Sequence, residues 1–408
     1  MLTVEEALHA VLSRAGPLSA RRRRLALAVG CTLAEDVRAD LDSPPFRKAL
    51  VDGYALRSAD LRRLGGRLTL GEEIPAGKLP GRPLAVGEAA LVMTGAPIPE
   101  GADAIVMREQ ARPAPGAVHF DAAEAVEPGQ NWMPVGREMR AGEVVLHRGE
   151  RLNAARIGLL ASVGRAEVAV IPRPRVVVVP TGDELVEPTN VPGPGLIRNS
   201  NAAMLQALAA SLGAEVARMP IAPDEPRALR AILARGLDTA DLLLVAGGVS
   251  AGDRDLVPAA LESLGNGQVF HKVRLKPGKP LWFGVGPARG DGPEPLVFGL
   301  PGNPVGALVA ALLFVGPAID SLRGLASEPA RMIEAQLAGP FRHRGERPTY
   351  HPSILREDRP PRAEPLEWAG SADLRTVAKA DGFTIFPAGD REYVGGEPIG
   401  FLPMVVGP

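Results

Sequence analysis

Four consecutive valines, Val176 to Val179, constrain what this chain can fold into more than any other feature. The run is too short for a helix and has no polar alternation, so it predicts a strand buried on both faces, as in a parallel sheet. A turn at Thr181 and Gly182 follows, and the pattern recurs twice. Leu242 to Ala246 ends in Gly247 and Gly248, followed by Ser250, Asp253 and Asp255, and a third run from Leu296 passes Pro301, Gly302 and Asn303 into an apolar helix. Such a succession predicts a doubly wound α/β sheet, which binds ligands outside the carboxyl ends of its strands. Glycines there leave backbone N–H groups exposed and a following helix start adds partial positive charge, so phosphate or another oxyanion is the natural guest. Between the second and third loops, HKVRLKPGKPLWFG supplies Lys272, Arg274, Lys276 and Lys279. Read as a strand from Val269 to Leu275, it puts Lys272, Arg274 and Lys276 on one face.

The order of these motifs carries more than any one of them. TGDEL, GGVSAGDRD, KPGKP and GLPGNP follow DGYA at Asp52 to Ala55, MTGAPIPEGADAIV from Met93 to Val106, and GEVVLHRGERLNAARIGLLASVG from Gly142 to Gly164. Together they resemble the molybdopterin molybdenumtransferase family, the MoeA-type bacterial proteins and the C-terminal part of gephyrin, over nearly the whole chain.

Length and composition bound the rest. A chain of 408 residues suggests two or more domains. A formal net charge of −1 argues against a nucleic-acid protein, so the cationic groups act locally. The single cysteine, Cys31, excludes an internal disulfide and a cysteine-cluster metal site, suits a reducing cytoplasm, and reads as a small core residue. The amino-terminal stretch reads as an amphipathic helix and not a signal peptide, and no apolar run is expected to reach membrane-spanning length. Four arginines, Arg21 to Arg24, read as a solvated strand edge or turn. The texture from about Leu41 to Met139, and again after Ser327, is that of short strands, the latter enough for a small barrel or sandwich. The expected architecture is an α/β multidomain protein. Residues 1–40 and 140–172 form a discontinuous linking domain, 41–139 a β-rich inserted domain, 173–325 the doubly wound domain and 326–408 a C-terminal β-rich domain. The resemblance makes 173–325 the molybdopterin-binding domain and likewise implies a small domain built from two pieces.

The resemblance implies a reaction. Adenylylated molybdopterin would receive molybdate on its dithiolene while the pyrophosphate bond is cleaved to release AMP, in a magnesium-dependent step. Two anions brought into one cleft need fixed cations and backbone donors, for which Lys276 and Lys279 are the best candidates. Ser250, Thr181, Gly182, Gly247, Gly248, Pro301 and Asn303 would assist. Magnesium bridges one or two carboxylates to substrate phosphates, and Asp183, Glu184, Asp253 and Asp255 lie on the loops that could hold it. Asp241, before the second strand, matches a family acid. Asp52 and Thr94 match family residues of the β-rich module, which in MoeA-type proteins comes from the other subunit of a homodimer; Glu138 stands where relatives usually carry an aspartate and keeps that charge on a longer stem, as a catalytic candidate. Arg347 and Ser371 resemble positions that help bind molybdate. Molybdopterin adenylyltransferase and apo-molybdoenzymes are the implied partners. The chain departs from the family pattern at Arg47, Ala49, Met133 and Arg137, which leaves open a non-catalytic molybdopterin-binding carrier or regulator. If both face the cleft, the charge reversal at Arg137 is expected to neutralise Glu138 or to bind the anionic substrate itself.

Overall fold

The structure is a computed structural model that describes residues 1–121, 125–249, 256–288, 293–326 and 329–404. It divides into two compact units, one of Met1–Ala34, Gly149–Asn153 and Glu167–Pro408, the other of Glu35–Arg148 and Ala154–Ala166. Ser250, Asp253 and Asp255 lie outside the described residues.

The first unit opens with helix α1 (Val4–Leu12), which starts where Thr3 and Glu6 form a reciprocal capping box. Its apolar stripe buries Ala7 and Val11. The arginine run is strand β1 (Arg21–Arg24), an edge strand antiparallel to β2 (Glu167–Ile171). Then follow β3 (Arg175–Pro180), α2 (Ser200–Ser211), β4 (Glu215–Arg218), α3 (Pro226–Leu237), β5 (Leu242–Ala246), α4 (Leu256–Ser263), β6 (Gly267–His271), β7 (Trp282–Val285), β8 (Leu296–Leu300) and α5 (Pro304–Leu322). The sheet order is β4-β3-β5-β8-β7-β6, parallel across its first four strands and antiparallel at the last two.

Alternation along the strands divides their side chains between two layers. Val176, Val178, Leu242, Leu244 and Phe298 share one core with α2 and α5, whereas Val177, Val179, Leu243, Val245 and Val297 share the other with α3 and α4. The valine run is therefore buried on both faces because helices cover both. Helix α5 corrects the expectation about membrane-length runs. It spans 19 residues and is apolar enough to cross a bilayer, yet 94% of its apolar window is buried inside this unit, which makes it the core helix of the sheet.

The expected strand from Val269 to Leu275 ends early. At Lys272 the backbone turns to φ +75°, and Lys272 N–H donates to the Leu281 carbonyl at 2.8 Å, so the chain folds back on itself. Alternation survives without the strand, with Val273 and Leu275 buried and Arg274 and Lys276 exposed. After α5 the strands Ile333–Leu337, Arg362–Pro365, Thr349–Arg356, Gly382–Phe386 and Pro398–Pro403 close into a barrel. Its Tyr350, Val377, Phe383 and Leu402 join the core of the sheet domain, which fixes the barrel against α5.

The second unit carries a six-stranded sheet with Gly53–Leu56, the DGYA strand, paired between Glu88–Val92 and Ala104–Met107. A Cβ at Gly53 would overlap the Val106 carbonyl, so only glycine lets these strands pair here. Beside the sheet, Lys48–Ala49 pairs with Trp132–Met133. The departure at Arg47 has a structural use. Its guanidinium donates to the carbonyls of Pro99 at 2.9 Å and Ala102 at 3.1 Å and sits 5.5 Å from the Trp132 ring centre. Cys31, in the first unit, is buried as expected, and burial pushes its thiol pKa up.

Candidate active site

Three glycine loops leave adjacent strands of the sheet and are tied to one another by main-chain bonds. Thr181 N–H donates to the Ala246 carbonyl at 3.1 Å, and Gly247 N–H donates to that of Leu300 at 3.1 Å. At Gly247 φ is +105° and a Cβ would lie 2.6 Å from the Thr181 carbonyl oxygen, so the loops approach to a distance only glycine allows. At Gly182, with φ +141°, the Glu184 carboxylate folds back over the loop into the space a Cβ would need. Asn303 begins α5 with no side-chain cap of its own, and Asn201 Nδ2, from α2, donates to the Gly302 carbonyl at 2.7 Å.

The lysine segment is held at this same rim from two directions. A Cβ at Gly278 would stand 3.2 Å from the Gly306 carbonyl oxygen, so KPGKP presses against the first turn of α5. From the barrel side, Lys276 N–H donates to the Pro348 carbonyl at 3.0 Å, Tyr350 N–H donates to that of Lys276 at 2.8 Å, and Arg347 Nη1 donates to that of Leu275 at 2.9 Å. Val305 N–H, in the first turn of α5, donates to the Ser371 carbonyl at 3.1 Å. Lys276 and Lys279 are exposed, so their ammonium groups remain available to a ligand while their main chain is fixed. Arg347 and Ser371 thus reach the start of α5 and the lysine loop from the barrel, although they lie far from both in sequence.

The acids separate into those the fold brings here and one it does not. Asp183 and Glu184 are exposed beside the first glycine loop. Asp224, two residues before α3, joins them. Its N–H donates to Asp183 Oδ1 at 3.0 Å and its Oδ1 accepts from the Thr181 hydroxyl at 3.3 Å. The capping is done by Glu225, whose carboxylate accepts from Arg227 and Ala228 N–H and is held below the usual carboxylate pKa by these bonds. Asp241 stands at the amino end of β5, the opposite edge of the sheet from the glycine loops, where its Oδ2 accepts from Arg175 N–H at 2.7 Å.

In the second unit, Asp52 is exposed and its Oδ1 accepts from both Thr94 N–H and the Thr94 hydroxyl, each at 2.7 Å. Those two bonds, first the backbone one, hold its pKa below the usual range, so it stays ionised at neutral pH. Glu138 is likewise held low, first by the Ser43 hydroxyl at 2.7 Å and then by Lys48 Nζ at 3.1 Å. Lys48 thereby takes the part expected of Arg137, which the sequence places next door to Glu138 but the fold leaves exposed.

The chain matches the MoeA N-terminal region (domain I and II) over residues 2–164, a probable molybdopterin binding domain over 177–321, and the MoeA C-terminal region (domain IV) over 334–404. The molybdopterin molybdenumtransferase of Staphylococcus epidermidis is 34% identical over 344 residues, covering 83% of this chain and 80% of that one. This chain belongs to the molybdopterin molybdenumtransferase (MoeA) family. The namesake from Nostoc sp. is 37% identical over 329 residues, covering 79% of this chain and 74% of its own. Among solved structures, the molybdopterin biosynthesis MoeA protein from Pyrococcus horikosii covers 100% of both chains with a TM-score of 0.81 at 30% identity. Membership in the MoeA family accounts for the order of the glycine loops and for a barrel that follows the doubly wound domain.

Proposed function

We propose that this chain is a molybdopterin molybdenumtransferase working in the cytoplasm, with adenylylated molybdopterin and molybdate as its substrates. The observation that carries this reading is the convergence at one rim of three glycine loops, the α5 start and the fixed main chain of Lys276 and Lys279. Such a rim suits a pyrophosphate beside a second oxyanion, since backbone N–H groups and ammonium groups placed in advance need no reorganisation when charge builds up. In the proposed reaction, water attacks the pyrophosphate, the P–O bond to the adenylate breaks and AMP leaves. The two dithiolene sulfurs give up their thiol protons as they bind molybdenum, and those two protons carry one molybdate oxide away as water. Lys276 and Lys279 neutralise the two anions, and the start of α5 orients a phosphate oxygen.

Magnesium fits the donor set at this rim. Asp183 and Glu184 offer hard carboxylate oxygens, and among the described residues no group of three or more His, Cys, Asp or Glu side chains is placed to hold a metal ion by itself. That is the arrangement expected of an ion held by one or two carboxylates and completed by phosphate and water. When bound it would supply charge neutralisation on the pyrophosphate.

The proposal includes a homodimer in which Asp52, Thr94 and Glu138 of one copy serve the lysine rim of the other, and a product passed to apo-molybdoenzymes. A non-catalytic carrier is the alternative that the family departures leave open. Against it stand the engagement of Arg47 with the Pro99 and Ala102 carbonyls and the ionised carboxylate that Glu138 keeps. Mixing inactive Asp52→Asn and Glu184→Gln chains is expected to restore part of the AMP release through hybrid dimers with one intact set of groups. No recovery after confirmed subunit exchange would contradict the shared arrangement.

A further inference from the structure

The four arginines of β1 have a use that the reaction does not absorb. In a strand successive side chains face opposite ways, and here the alternation separates two pairs. Arg22 and Arg24 turn to Glu167, with Nε to carboxylate distances of 4.0 and 3.8 Å. Arg21 and Arg23 turn the other way and line a cavity of about 270 Å³ together with Arg173 and Arg175. Glu215, Asp238 and Asp241 also line it, as does the Thr239 hydroxyl.

Among the described residues no carboxylate lies within 4.0 Å of the Arg21, Arg23, Arg173 or Arg175 guanidinium group. Arg173 is fixed by donating to the carbonyls of Gly213 at 2.9 Å and Ala214 at 2.7 Å, and Arg175 is anchored through its N–H to Asp241. Cations and acids thus line one concave space with no close guanidinium–carboxylate pair between them. Several guanidinium forks match the geometry and charge of a phosphate dianion, whereas one would suffice for a carboxylate. Carboxylates and a threonine hydroxyl accept hydrogen bonds from sugar hydroxyls, as an acid does for ribose in nucleotide sites.

We propose that this cavity binds a hydroxylated phosphate monoester of the sugar-phosphate class, its phosphate on the arginines and its hydroxyls on Asp238, Asp241 and Thr239. The site is separate from the lysine rim. It opens at the amino ends of β3 and β5, a strand length of roughly 17 Å from the glycine loops. The volume is at the small end of the range for ligand pockets, which suits a sugar phosphate better than a dinucleotide.

Calorimetric titration of ribose 5-phosphate into the full chain tests this. One equivalent is expected to bind the wild type. Affinity should fall at least tenfold in an Arg21→Ala/Arg23→Ala variant and stay unchanged in a Lys276→Ala/Lys279→Ala variant. Should the β1 variant misfold, Arg175→Gln replaces it, with the same expected loss. Inorganic phosphate should bind more weakly than the sugar phosphate, and equal affinity would overturn the role given to the acids. Absence of binding to the wild type would overturn the site itself, as would binding lost with the lysines and kept without the arginines.

Discussion

Replacing Lys276 and Lys279 together with alanine is expected to lower the rate of AMP release by two to three orders of magnitude and to leave the melting temperature nearly unchanged. Both side chains are exposed, and exposed charges contribute little to folding. Removing a preorganised electrostatic donor from an anionic transition state costs about 10²–10³ in rate. The main chain of the segment would stay in place, because the bonds to Pro348, Tyr350 and Arg347 do not use the lysine side chains. Single-turnover kinetics beside a thermal melt separate the two effects. A folded double variant with wild-type rates would remove KPGKP from the chemistry.

Gly247→Ala should act on both stability and rate. The new methyl would have to fit where the Thr181 carbonyl oxygen stands 2.6 Å from the ideal Cβ, at a φ of +105° that side chains rarely adopt. Strain of that kind costs about 1–3 kcal/mol before any steric relief. For a domain of this size each kcal/mol moves the melting temperature by about 2–4 °C. Relief can come only by displacing Thr181 or Gly247, whose N–H groups tie the first loop to the second and the second to the third. Activity is therefore expected to fall further than the folded fraction does. Equal stability and equal rate in this variant would mean that the loops are not packed as described.

Much of this was legible in the sequence for a physical reason. A parallel sheet covered on both faces demands short, unbroken apolar runs, and Val176 to Val179 and Leu242 to Ala246 could be little else. Glycines that follow such runs mark where backbone must come close to backbone, as Gly247 does to Thr181. Side-chain partnerships across long separations were not legible. A carboxylate before a helix reads as a cap, which makes Asp224 as good a candidate as its neighbour, but the fold turns Asp224 to Thr181 and gives the cap of α3 to Glu225. Glu138 meets Lys48 and not its neighbour Arg137, because pairing of the two short strands beside the sheet decides which cation arrives. Lys272 carries a positive φ that no pattern of hydrophobicity announces, and it cut short a strand whose alternation looked continuous. Arg21 to Arg24 read as one charge run. Only pairing with β2 showed two faces with different surroundings.

The most direct measurement incubates the purified full chain with adenylylated molybdopterin, molybdate and magnesium, and follows AMP and protein-bound molybdenum together. AMP release is expected to depend on molybdate, in step with molybdenum joining the dithiolene. A protein that binds adenylylated molybdopterin tightly but releases no AMP with molybdate and magnesium present would contradict it.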